Sequence, residues 1–143
     1  MNLLFGQLIC YLTALTVLPF AGPTAIQCVS EEARSVMGME HAAGWYNGDS
    51  DTAFVVVGLS PGYTREVLDH ELAHAWDLRL GTQVNGSPAF FSEIATGFSV
   101  EEFARLQTLW RGTWPANEAF PDVTPTAAEW AAMDRAGWLM PRL

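Results

Sequence analysis

Residues 64–80 read TREVLDHELAHAWDLRL and contain His70-Glu71-Leu72-Ala73-His74, an H-E-x-x-H motif. The Ser60-Pro61-Gly62 break and Thr64 as N-cap predict a helix opening here. Glu66 falls in its first turn, Arg79 in its last, and Gly81 just past its end. Residues four apart share a helix face, so both imidazoles can meet one ion. Glu71 lies one residue round, beside the open position of that ion rather than among its ligands. Neutral imidazole suits Zn2+, and zinc lowers the pKa of bound water towards neutrality. Glu71 can then act as general base and later pass the proton to a leaving amine.

A catalytic zinc site needs a third protein ligand. The candidates are Asp77, Glu93, Glu101, Glu102 and His41. Asp77 shares the face of His74 but sits three residues on, about 4.5 Å along the axis at 1.5 Å per residue. It suits a hydrogen bond to a ligand imidazole instead. Ser99 and Glu102 have capping-box spacing, which assigns Glu102 to the start of a helix and Glu101 to its N-terminal dipole. Glu93 remains, on the next expected helix, after a loop long enough to fold that helix back on the first.

H-E-x-x-H, eighteen residues and then Glu93 resembles the gluzincin group of zinc metallopeptidases, with the aminopeptidase-type spacing. The resemblance implies His70, His74 and Glu93 as metal ligands, Glu71 as general base and a zincin-like catalytic core. It covers residues 53–104. Phe91-Ser92-Glu93-Ile94-Ala95 is similar to the group's N-E-G-F-A stretch, with Ser92 and Ile94 departing from it. Gly97 stands where thermolysin-like enzymes carry an acid. In such cores an edge strand ahead of the motif helix binds extended peptide. Residues 52–58, with Phe54, Val55, Val56 and Val57, occupy that place. A Tyr or His usually stabilises the oxyanion; Tyr63, His41 and Tyr46 are candidates without motif support.

Elsewhere, Ser30 caps a short helix over residues 31–37, ended by Gly38. Residues 43–46, the Asn47-Gly48 turn and the β-branched run from Thr52 predict a hairpin. Asn47, Asp49 and Asp51 alternate like the start of a calcium loop, but the required Gly and distal Glu are missing. Residues 88–98 and 99–110 read as helices, and 112–124 as a Pro-containing loop. A last helix ends near Gly137, with Thr126 and Glu129 at capping-box spacing, although Pro125 in a first turn would make Thr124 the cap. The tryptophans are expected in the core. The sum is a mostly helical α+β domain with one small sheet.

The chain has 143 residues, which fits one domain. Sixteen acids face seven arginines and no lysine, a net charge of −9 that excludes a phosphate-binding surface and so nucleic acid. The expected partner is a peptide or protein substrate, and the expected state a monomer. No charged residue precedes Glu31, and residues 8–20 form an apolar run followed by small residues. Residues 1–25 therefore read as a signal peptide cleaved near Ala25, leaving 26–143 as the metallopeptidase domain of a secreted protein. The alternatives are a membrane anchor over residues 3–21 and a core element of the fold. Cleavage would leave Cys28 unpaired; retention in an oxidising compartment would permit a Cys10–Cys28 bridge. Without a partner cluster, each cysteine reads as a small buried hydrophobe. The rival function is a zincin-like domain that binds zinc or a partner without hydrolysis.

Overall fold

The computed structural model describes residues 3–115 and 124–142. Within them the chain is a mostly helical α+β fold around a three-stranded mixed sheet. The apolar N-terminal run forms α1 (Leu3–Val17) and a 3-10 turn (Leu18–Phe20), leading into β1 (Ala25–Val29). Then come α2 (Glu31–Val36), β2 (Gly44–Asn47), β3 (Thr52–Val56) and the long α3 (Pro61–Asn85). The short α4 (Phe91–Ala95), α5 (Val100–Arg111) and α6 (Ala127–Arg135) complete the fold. Of the loop expected at 112–124, residues 116–123 lie outside the described residues.

Residues 3–20 are built into the fold. Cys10, Ala14, Val17 and Ala21 join the core with Leu68, Leu72 and Ala73 of α3, and Phe20 stacks its ring on the Arg111 guanidinium. Cys10 and Cys28 form a disulfide tying α1 to β1. They are therefore buried, but not as the isolated small hydrophobes expected. The inward side of α1 is thus made of small residues, while Leu4, Phe5, Leu8, Leu12 and Leu15 face outward. Its 15 residues span about 22 Å. Among the described residues no helix is long and apolar enough to cross a membrane.

The strand order is β1-β3-β2, with β1 parallel and β2 antiparallel to β3. The hairpin forms as expected, through a turn in which Asn47 Oδ1 accepts from the Asp49 and Ser50 amides. Asp51, at φ +49°, accepts hydrogen bonds from the Tyr46 and Thr24 hydroxyls, so the alternating Asn and Asp residues serve the turn. The edge-strand expectation for Phe54, Val55, Val56 and Val57 fails. β3 is the central strand, paired on both sides and buried throughout, as its unbroken apolar run suits. Among the described residues, the edge strand beside α3 is β2.

α3 is longer than expected at both ends. Ser60, not Thr64, is the cap: its hydroxyl accepts from the Tyr63 amide, and Pro61 takes the first helical position. Gly81 does not end the helix. A Cβ there would collide with the Ala89 carbonyl oxygen, so this glycine admits the returning chain, and the left-handed terminator is Gly86. The helix expected over residues 88–98 shrinks to the five residues of α4. Both capping boxes form, at Ser99/Glu102 and at Thr126/Glu129, so Thr126 rather than Thr124 is the cap of α6. Buried Gln107 donates to the Trp138 carbonyl and accepts from the Met140 amide, fastening the C-terminal segment to α5.

Candidate metal centre

The stripe of α3 that carries Val67, His70, Glu71 and His74 faces β2 and α5, while Leu68, Leu72 and Ala73 on its other side fill the core. The imidazoles of His70 and His74 stand edge to face, ring centroids 4.9 Å apart. Their Nε2 atoms converge on one carboxylate: His70 lies 2.9 Å from Oε1 of Glu101, and His74 3.4 Å from Oε2. These three residues form the one group of possible metal ligands among the described residues whose donor atoms all lie within 4.8 Å of one another. The two hydrogen-bonding imidazoles hold the Glu101 carboxyl below the usual carboxylate range.

The third member is thus Glu101 and not Glu93. Asp77 Oδ1 accepts from the Ser92 amide at 2.7 Å and Oδ2 from the Ser92 hydroxyl at 2.6 Å, pinning the first turn of α4. Ser92 is buried by that contact, and Glu93, one residue on, is exposed and outside the group. The same contact corrects the role expected of Asp77. Its carboxylate holds α4, and among the described residues the buried Nδ1 of His74 has no hydrogen-bond partner. Burial raises the Asp77 carboxyl above its ordinary value, against the lowering effect of the Ser92 bonds.

The N-terminal dipole of α5 is not the whole role of Glu101, because the capping box beside it fixes which way its side chain turns. Glu102 folds back onto Ser99, so α5 starts at a defined rotation. Phe103, Ala104, Leu106 and Gln107 then turn inward. Glu101 is left on the opposite side, on one face with Arg105 and Thr108, looking at α3. A buried ion pair steadies that relation: Arg111 Nη2 lies 3.0 Å from Asp69 Oδ1, both side chains fully enclosed, with the Thr113 hydroxyl also on Asp69. Burial is the largest effect on both, raising Asp69 and lowering Arg111.

The residues fit a zinc ion. Two imidazole nitrogens and one carboxylate oxygen are a catalytic donor set, and donors about 2.1 Å from a tetrahedral zinc stand about 3.4 Å apart. The donor atoms of the three residues lie within 4.8 Å of one another, near enough to be drawn onto one ion. Glu71 is buried beside the trio, and desolvation raises its carboxyl above the ordinary value although both histidines pull it down.

Two clefts meet at this point, and His70, Glu71, Glu101 and Gly44 line both. Tyr63, Glu66, Arg105 and Trp114 wall the first, while Trp45, Tyr46, Phe90 and Val100 wall the second. Two of the tryptophans expected in the core, Trp45 and Trp114, therefore face the site. Gly44 is required where it stands: a Cβ would strike the Val67 side chain and come within 2.6 Å of the Phe54 carbonyl oxygen. Tyr63 sits exposed in the first turn of α3, at the mouth of the first cleft. His41 and Tyr46 lie off the trio, Tyr46 bonded to Asp51.

A scan of protein-family models, a search of curated proteins and a search of solved structures each found no match to this chain.

Proposed function

We propose that this chain is a zinc-dependent peptidase in which His70, His74 and Glu101 hold the metal and Glu71 is the general base. The observation that carries the reading is the convergence of two imidazoles from α3 and one carboxylate from α5, with a buried glutamate beside them at the meeting of two clefts. Bound there, zinc supplies a Lewis acid for the scissile carbonyl and lowers the pKa of water. Glu71 takes the proton of the attacking water and delivers it to the leaving amine; its raised affinity for protons suits the second half of that task. Tyr63 lines the first cleft with His70 and Glu71, which supports a role for it as donor to the oxyanion.

The free edge of β2 gives extended peptide a place to lie. The Ala43 carbonyl accepts from the Val56 amide, so Gly44 and Tyr46, at alternate positions, turn their backbone groups away from β3. Both line a cleft beside Glu71, and the missing side chain of Gly44 leaves room for a peptide backbone. The gluzincin resemblance supports hydrolysis, although its eighteen-residue spacing leads to Glu93, whereas twenty-six residues separate His74 from Glu101. The acidic charge favours no nucleic acid. The disulfide supports export to an oxidising compartment.

Metal analysis tests the ligand set. Purified wild type should hold one zinc, His74→Ala and Glu101→Ala should lose it together, and Glu93→Ala should keep it. Loss in Glu93→Ala with retention in Glu101→Ala restores the ligand set implied by the resemblance. A wild type without stoichiometric zinc overturns the proposal. Zinc held at full stoichiometry without turnover of any peptide favours the non-catalytic zinc-binding domain.

A further inference from the structure

Seven arginines are the only cationic side chains apart from histidine, and most of them have a structural partner. Arg111 is paired with Asp69, Arg34 donates to the Ala42 carbonyl, Arg79 lies over Trp76, and Arg142 stacks on Trp110. Arg65 lends its charge to buried Asp69. Of the remaining two, Arg135 stands in the last turn of α6 and lines neither cleft, and Arg105 is different. It lines the first cleft one helical turn beyond Glu101, about 6 Å along the axis of α5. Among the described residues it forms no ion pair, not even with Glu66 on the opposite wall. The Thr108 hydroxyl, which shares its face, is spent on the Arg105 backbone carbonyl. Ala43, Gly44 and Val67 add apolar or bare backbone to a lining whose other charges are the acids Glu66, Glu71 and Glu101, so Arg105 is its one guanidinium.

We infer that Arg105 receives a carboxylate of the substrate, so that the preferred peptides carry a negative charge on a residue adjoining the bond presented to Glu71. One helical turn matches the reach from a scissile carbonyl to the charge of the neighbouring residue. That charge is an Asp or Glu side chain, or a free C-terminus. The guanidinium presents a planar fork of donors to it. The preference is local. With a net charge of −9 the chain gains nothing from long-range steering of an acidic peptide, so selectivity resides in the lifetime of the complex and not in its rate of formation. The inference rests on the peptidase reading for the place of the scissile bond, and its test does not need turnover.

Calorimetric titration of zinc-loaded Glu71→Gln protein with four short N-acetylated alanine peptides makes the test. One pair is amidated and differs by Glu against Gln at an internal position; the other is all alanine and differs by free acid against amide. In at least one pair the carboxylate member should bind about tenfold more tightly, the order expected of a charge-assisted hydrogen bond. The pair that responds identifies the source of the charge. Arg105→Gln should remove the difference and Arg105→Lys should keep part of it, with circular dichroism and zinc content unchanged. Equal affinities within both pairs, no binding of either carboxylate peptide, or a difference that survives in Arg105→Gln overturns the inference. Wild type that cleaves none of a wide peptide panel overturns the peptidase reading alone.

Discussion

Glu71 combines two properties that pull in opposite directions. Desolvation raises its carboxyl above the ordinary 4.5, so in the metal-free fold the ionised side chain costs stability at neutral pH. For a carboxyl raised in the folded state, the cost is absent below the unfolded value. It grows as pH climbs through the window up to the folded value. Glu71→Gln should therefore unfold at a higher temperature than wild type at pH 7, with the gap closing as pH falls to 4, both proteins being metal-free. On the proposed mechanism the same substitution should abolish peptide cleavage while zinc content stays at wild-type level, because Glu71 there serves as base and not as ligand. A variant that is less stable at pH 7 would show that burial is not what governs this group. Turnover retained would remove Glu71 from the chemistry.

The relation between α3, α4 and α5 decides which acid reaches the two histidines, and single residues at their junctions set it. Asp77 holds the start of α4 through Ser92, and the chain returning to it passes directly over Gly81. Gly81→Ala should destabilise the fold by about 1–3 kcal/mol, the usual cost of forcing extra volume into a packed site, read as a lowered denaturation midpoint. An unchanged midpoint would mean that the turn before α4 gives way freely. Glu93 illustrates why spacing along the chain misleads here. Eighteen intervening residues suit a two-helix return, but five residues of α4 leave that side chain on the outer surface. The following helix supplies the carboxylate instead. The capping box at Ser99 was legible, and its consequence for Glu101 was not, because the rotation of α5 depends on which of its faces the core accepts.

Across the whole molecule, the N-terminal run and the C-terminal tail clasp the same α3–α5 pair. Trp76 donates to the Trp138 carbonyl and Trp110 to the Met140 carbonyl, while α1 packs on α3 and Phe20 covers Arg111. The Cys10–Cys28 disulfide closes this clasp over a separation of 18 residues. Its reduction should cost about 3 kcal/mol by the chain-entropy relation, measured as the loss in unfolding free energy with and without reductant. Cleavage near Ala25 would remove Cys10, α1 and Phe20 together, so a leader and this bridge exclude one another in the same mature chain. Intact-mass analysis of exported protein distinguishes them: the bridge requires a chain that includes residue 10 and no free thiol. A mature chain beginning near residue 26 with one free thiol would end that reading of α1.

Local chemistry alone determined the helix carrying the two histidines, the hairpin, the short helix after Ser30 and both capping boxes. Each depends on contacts within a few residues, where propensity and caps act. The same stretch identified His70, His74 and Glu71, because their common face follows from helical period. Only tertiary structure decided that β3 is central and β2 is the free edge, since pairing of β1 with β3 joins segments far apart in the chain. It likewise chose Glu101 over Glu93 as the acid beside the histidines, made Gly81 a crossing point and not a terminator, and packed one side of α1 against α3. These outcomes rest on which surfaces meet in the core, and several acids with equal local credentials were left for packing to choose among.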